Sequence, residues 1–266
     1  MAPPSLAGRS LLEFLLTLLI GLAPVACGLL VLSLQVERKQ EETSELSAVE
    51  AIYVIDRVID TLHDAAGAVL SLAGQRCESA LPTLRQQAFK QPNVRSLVLV
   101  RENRGYCSTL LGDFDAAVDP GTFFNQRLRL DLRNEITPDV PVLHYRIQEY
   151  PFGVIAISDA RILQTELQGF KNAIVLVLQF GNDYIWATGN GSASQVPDHK
   201  ENLQRTVSEK YGYTVHAGYP DGHTWQMITQ AMASTAPSLL LVGIITSAVA
   251  YWGLFRQRRR PSSPTE

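Results

Sequence analysis

Cysteine is scarce in this chain, with three residues in 266, and histidine is hardly commoner at five. His63, His144, His199, His216 and His223 are scattered, with no pair at metal-ligand spacing, so they read as surface or core histidines and no metal site is expected. A phosphate-cradling glycine loop is missing, as is a serine in a nucleophile-elbow context. With them go the common nucleotide-binding and acyl-hydrolase signatures, and no cofactor is expected. The net charge of −3 is too small to argue for nucleic acid or any strongly charged partner.

What the chain has instead is two long apolar runs near its ends. The first, "FLLTLLIGLAPVACGLLVLSLQV" at residues 14–36, carries no charge over about 23 residues, enough to cross a hydrocarbon core of about 30 Å. The second, "APSLLLVGIITSAVAYWGLF" at residues 236–255, is of similar reach, and Tyr251 and Trp252 sit near its end as an interfacial anchor. A cleaved signal peptide, or a lipoprotein signal presenting Cys27 from "PVAC", requires the first run to stop. It continues through residues 28–32 and only Arg9 precedes it, which favours an uncleaved anchor with Cys27 in lipid.

Basic residues orient the spans. "RQRRR" at residues 256–260 places the C-terminus in the cytoplasm, and two crossings bring the N-terminus there too. Arg38 and Lys39 oppose this locally but are accompanied by Glu37, Glu41 and Glu42. The pattern gives a cytoplasmic N-terminus (1–13), a first transmembrane helix (14–36), an exported domain (37–232), a second transmembrane helix (236–255) and a basic cytoplasmic tail (256–266). The exported segment is large enough to bury a core of its own.

Leu46, Val49, Tyr53, Ile55, Ile59, Leu62, Ala66, Val69 and Leu72 predict an amphipathic helix, continuous with the first span because no proline or paired glycine interrupts residues 36–72. "ESALPTLRQQAFKQ" predicts a shorter helix closed by Pro92. The period then changes. "VRSLVLV", "YCSTLL", "RLRLDLR", "PVLHYRI" and "FGVIAIS" are β-rich runs between turn residues, and they predict an antiparallel sheet. Asp159 can cap a helix over "ARILQTELQ". "AIVLVLQF", "DYIWATG" and "YGYTVHAGY" would complete the sheet, with a hairpin turn at Gly181-Asn182 and a further turn at the "NGS" of Asn190. The fold class is α+β: two transmembrane helices flanking a PAS-like (PDC/CACHE-type) sensor domain with a long N-terminal helix and an antiparallel sheet.

Two cysteines, Cys77 and Cys107, fall in the exported segment, 30 positions apart. An oxidising compartment favours a disulfide over two free thiols, and closing such a loop stabilises a fold by roughly 3.5 kcal/mol on the chain-entropy model. Spacing does not separate a plain staple from a bond whose state the cell reads.

The stretch "LSLAGQRCESALPTLRQQAFKQPNVRSLVLVRENRGYCSTLLG" resembles the periplasmic CSS-motif domain of bacterial EAL-type cyclic-di-GMP phosphodiesterases, a similarity that extends through most of residues 10–255. Cys107-Ser108-Thr109 stands where the family shows Cys-Ser-Ser; Thr109 keeps the hydroxyl and suits a strand. The resemblance implies an inner-membrane protein whose motif cysteine, Cys107, pairs with Cys77 in a disulfide installed by the periplasmic oxidation machinery. It implies higher activity in the reduced form, and dimerisation in which the second span takes part. In that span Gly243 and Ser247 form a small-xxx-small pair, a candidate dimer face. The tail "RQRRRPSSPTE" offers no EAL triplet and no carboxylate cluster for two metal ions, so hydrolysis by this chain alone is not expected. Output is expected through a homodimer or a heterodimer with a full-length phosphodiesterase. Two alternatives stand: a small-ligand sensor with a purely structural disulfide, and an interaction protein that regulates such a partner.

Overall fold

The computed structural model describes residues 6–132, 140–170 and 173–253, with side chains from residue 14 onward. The basic run Arg256–Arg260 lies outside the described residues, as do the last two positions of the second apolar run. In chain order the elements are α1 (Leu6–Val69), α2 (Cys77–Lys90), β1 (Ser96–Arg101), β2 (Arg104–Ser108), β3 (Gly112–Ala117), β4 (Leu128–Asp131), β5 (Val142–Glu149) and β6 (Phe152–Asp159). There follow α3 (Arg161–Gln168), β7 (Val175–Phe180), β8 (Asp183–Trp186), β9 (Gly189–Gly191), β10 (Glu201–Val207), β11 (Thr214–Tyr219) and α4 (His223–Tyr251). Packing divides the chain into two units, Glu41–Asp221 and the flanking segments up to Gln40 and from Gly222.

The flanking unit contains two helices long and apolar enough to cross a membrane. α4 begins at His223, 13 residues before the apolar run itself, so "HTWQMITQAMAST" is helical rather than part of the globular domain. The helices meet through small residues. A Cβ on Gly21 would lie 1.8 Å from Ser247 Oγ, and one on Gly243 would lie 2.9 Å from the Gly21 carbonyl oxygen. Ser247 Oγ donates to the Thr17 carbonyl at 3.2 Å. Gly243 and Ser247, expected to form a dimer face, therefore pack on the chain's own α1, because Gly21 supplies the matching small surface that lets the backbones approach.

In the globular unit the strands form two antiparallel sheets rather than one: β3-β2-β1-β6-β5-β4 and β10-β11-β7-β8-β9. β1 is central in its sheet, and its side chains alternate between two buried clusters. Leu97 and Leu99 join the main core, which also contains α1, α2 and residues of the second sheet, while Val98 and Val100 pack with Phe123 and Ile155 on the other face. Gly181, at a φ of 64°, and Asn182 turn β7 into β8. The Asp159 carboxylate accepts from the Arg161 backbone N–H at 2.9 Å at the start of α3. Asn190 lies in the short strand β9, not in a turn.

The face that α1 buries differs from the stripe expected. Ile55, Ile59, Leu62, Ala66 and Val69 are fully buried with Ala48 and Ala51, but Leu46, Val49 and Tyr53 are 62%, 52% and 65% exposed. At about 100° per residue, the nine positions from Leu46 to Ile55 amount to about two and a half turns, so the two sets lie on opposite faces. Two carboxylates on α1 are also engaged. Asp56 accepts from Ser208 Oγ at 2.9 Å and from Tyr213 Oη at 2.8 Å, and Asp60 accepts from Lys210 Nζ and Tyr211 Oη. Burial raises the Asp60 carboxyl, but the hydrogen bonds from Lys210 and Tyr211 outweigh it and hold the group below its ordinary pKa. Both phenols are pushed above their usual value, first by burial and then by the carboxylates they face.

Candidate functional site

Cys77 is the first residue of α2, and Cys107 sits in β2 opposite Leu99 of β1 and Asp113 of β3. Their sulfurs are bonded, with the Cα atoms 5.3 Å apart. Both cysteines belong to the main core, but not equally: Cys107 is fully buried and Cys77 retains 7% of its surface. Cys27, the remaining cysteine, is a free thiol on α1.

The two residues after Cys107 close the strand pair with their hydroxyls. Thr109 Oγ1 accepts from the Leu97 backbone N–H at 3.1 Å and shares a hydrogen bond of 2.9 Å with Ser96 Oγ. Ser96 Oγ in turn lies 3.3 Å from Ser108 Oγ, and Ser108 Oγ accepts from the Leu110 N–H at 3.3 Å. Ser96 and Ser108 are almost completely buried, so these bonds satisfy groups that water does not reach. A threonine serves as well as a serine here because the hydroxyl is what the site uses. β2 ends at Ser108, and Leu110 and Leu111, expected as the end of a strand, are 55% and 57% exposed in the turn that follows.

The segment leading into Cys77 is held by contacts that do not involve sulfur. The Gly74 N–H donates to Tyr106 Oη at 2.9 Å, and its carbonyl accepts from Arg101 Nη2 at 2.8 Å. The Arg101 guanidinium also lies 4.9 Å from the Tyr106 ring centroid. Gly74 has a φ of 104° and a Cβ there would sit 3.0 Å from the Phe152 ring, so the position suits glycine on both counts. Arg85 Nε reaches from α2 to the Thr109 carbonyl at 3.1 Å. Sequence reading singled out Cys77, Cys107, Ser108 and Thr109, and the structure brings all four to the start of α2 and the end of β2. It missed Gly74, Ser96, Arg101 and Tyr106. A glycine ending a helical pattern and a tyrosine beside a cysteine were the available signals.

The "CSS motif domain associated with EAL" family matches residues 40–232, which covers the globular unit and its disulfide. The chain belongs to this CSS-motif family. Over 222 residues this CSS-motif chain is 28% identical to "Probable cyclic di-GMP phosphodiesterase PdeD" of Escherichia coli (strain K12), an alignment covering 76% of the chain and 40% of that relative. The chain thus spans well under half the length of the curated relative it matches. Among solved structures, it is similar to an extracellular ligand binding receptor from Desulfohalobium retbaense DSM5692, with a TM-score of 0.47, 8% identity, and coverage of 66% of this chain and 40% of that one. It is also similar to the ligand binding domain of the Pseudomonas aeruginosa PAO1 amino acid chemoreceptor PctC in complex with GABA, with a TM-score of 0.43, 13% identity, and coverage of 68% and 98%.

Chemically, the site can exchange one S–S bond for two thiols, taking up two electrons and two protons from an external dithiol. Among the described residues, no group of three histidine, cysteine, aspartate or glutamate side chains is arranged to hold a metal ion.

Proposed function

We propose that this CSS-motif chain is an inner-membrane sensor of PAS-like (PDC/CACHE) type, with its globular domain in the periplasm. It reports thiol redox state through Cys77 and Cys107 and acts on cyclic-di-GMP signalling through a partner, either a second copy or a full-length phosphodiesterase. The observation that carries the reading is the disulfide between the motif cysteine and the first residue of α2. The two apolar helices flanking the domain support the membrane location, and the similarity to a phosphodiesterase supports the signalling pathway. Both cysteines share a buried core with α1, so breaking the bond frees the start of α2 and loosens the surface against which α1 packs.

The test uses cells expressing the wild type, Cys77→Ser or Cys107→Ser. The wild type alone should change electrophoretic mobility on reduction, and either serine variant should shift cellular cyclic-di-GMP in the same direction as a periplasm unable to form disulfides. Identical mobility in all three would remove the disulfide. Cyclic-di-GMP levels indifferent to the variants and to the oxidation machinery would leave the bond as a staple and remove the sensor.

A further inference from the structure

A cavity of about 660 Å³ opens beside α1 and the β4–β5 pair, with neither motif cysteine in its wall, and its lining is polar and cationic. Arg127 and Arg146 both line it, with Tyr145, His63, Asn103 and Gln148, and no carboxylate is among the described residues that form its wall.

Arg146 is the unusual member. It is 6% exposed, yet its guanidinium meets no carboxylate among the described residues. Nη2 donates to Asn103 Oδ1 at 3.2 Å, Nη1 has a long contact of 3.5 Å to the Gln126 carbonyl, and Nε is buried without a partner. Burial lowers its pKa, and no charge among the described residues offsets that. A buried guanidinium without a counter-ion is costly, and stable proteins pair such groups.

The strand register makes the arrangement more pointed. Leu128 pairs with Tyr145 and the Arg146 N–H donates to the Arg127 carbonyl at 2.7 Å, so the next cross-strand neighbours are two arginines. An oxyanion in the cavity supplies the counter-charge that Arg146 lacks among the described residues. Arg127 is exposed and lies close enough to the Tyr145 phenol to oppose the rise in its pKa caused by burial. Tyr145 Oη and His63 Nδ1 share a hydrogen bond of 2.9 Å, which fixes the phenol at the cavity wall. Gln148 Oε1 is a second buried atom without a partner, ready to accept from an N–H or O–H on a bound molecule. The volume is far larger than a bare ion requires and falls in the range of small-molecule sites.

We infer that this cavity binds the carboxylate or phosphate group of a small organic molecule, held by Arg127 and Arg146. This goes beyond the redox reading and does not depend on it, since neither Cys77 nor Cys107 lines the cavity.

The test is thermal unfolding and calorimetric titration of the full chain in detergent. The probes are sodium acetate, succinate, citrate and phosphate, against sodium chloride at matched ionic strength. At least one oxyanion should raise the midpoint above the chloride control. Arg127→Gln, on the exposed rim, and Arg146→Gln should each weaken that binding about 10- to 100-fold, the loss of a charge-assisted hydrogen bond. A response to the carboxylates alone or to phosphate alone supports the site and identifies its oxyanion. No response beyond chloride, or an equal response in Arg127→Gln, overturns the inference. A Cys77→Ser variant should bind as the wild type does, which separates this outcome from that of the redox test.

Discussion

Reducing the Cys77–Cys107 bond should lower the stability of the domain without unfolding it at room temperature. The sequence separation is 30, and a loop of that length contributes about 3.5 kcal/mol on the chain-entropy model. For a domain of 150–250 residues each 1 kcal/mol moves the midpoint by about 2–4 °C, so full reduction should cost about 7–14 °C. Cys77→Ala/Cys107→Ala removes the same constraint and two buried sulfurs as well, at about 1 kcal/mol each on a burial scale, and should fall a few degrees further. Contacts through Gly74, Tyr106 and Arg101 hold the approach to α2 in place without sulfur, which is why the fold should persist. The assay is near-UV circular dichroism of the full chain in detergent, scanned with and without dithiothreitol, with thiol alkylation to verify each state. A reduced wild type melting within 2 °C of the oxidised protein would refute the loop-closure argument. Loss of the near-UV signal on reduction at 25 °C would refute the claim that the other contacts suffice.

Thr109→Val keeps the shape of the motif residue but removes the acceptor of the Leu97 N–H and the partner of Ser96, and should cost about 1–3 kcal/mol in denaturant unfolding. Thr109→Ser should stay within about 0.5 kcal/mol, since the hydroxyl remains. His144 and His216 are held neutral by burial, their pKa values lowered to about 4 from an ordinary 6.5. Arg129 pushes His144 further down and Asp131 opposes it. The unfolded chain takes up protons that the folded one refuses, so stability should be constant above pH 6.5 and fall between there and pH 4, by up to about 3 kcal/mol from His144. His144→Gln should flatten that slope in a pH series of denaturant titrations. In the flanking unit, a side chain at Gly243 meets the Gly21 carbonyl and Val25 at 2.9 Å. Gly243→Leu should therefore reduce the crosslinking yield of a Gly28→Cys/Leu239→Cys pair, and an unchanged yield would show that the two helices do not pack through this seam.

The long first helix was legible because nothing after Val36 interrupts it, but its buried face was not. Leu46, Val49 and Tyr53 are as apolar as Ile55 and Ile59, and periodicity alone gives no reason to choose between opposite faces of a rod. The strands "VRSLVLV", "FGVIAIS" and "AIVLVLQF" were readable as dense β-branched runs because they become central strands, covered on both faces. β3, β9 and β10 escaped notice, and each is an edge strand that needs one partner and shows little apolar alternation. Which strands share a sheet was equally hidden, since alternation marks a strand without naming its neighbour. The cysteines were found by count and compartment. Gly74 acts through a backbone N–H that the Tyr106 hydroxyl accepts, which leaves a faint mark on sequence, and Arg127 and Arg146 become neighbours only through the β4–β5 register.

The two bonded cysteines are unequally enclosed, Cys107 fully and Cys77 with 7% of its surface left. A thiolate from solvent must approach in line with the S–S bond, and of the two residues only Cys77 keeps any exposed surface, so attack on Cys77 is the expected first step. In an exchange begun there the mixed disulfide would form on Cys77, with Cys107 as the leaving thiol, still enclosed by β1 and β3. From there Cys107 is also the resolving thiol, stationed beside the new bond and able to expel the visitor. Reduction of this site is a race between a second external thiol and an internal one that never diffuses away. Under the proposed redox role, weak or dilute reductants would lose that race, and the bond would yield only to sustained reducing pressure.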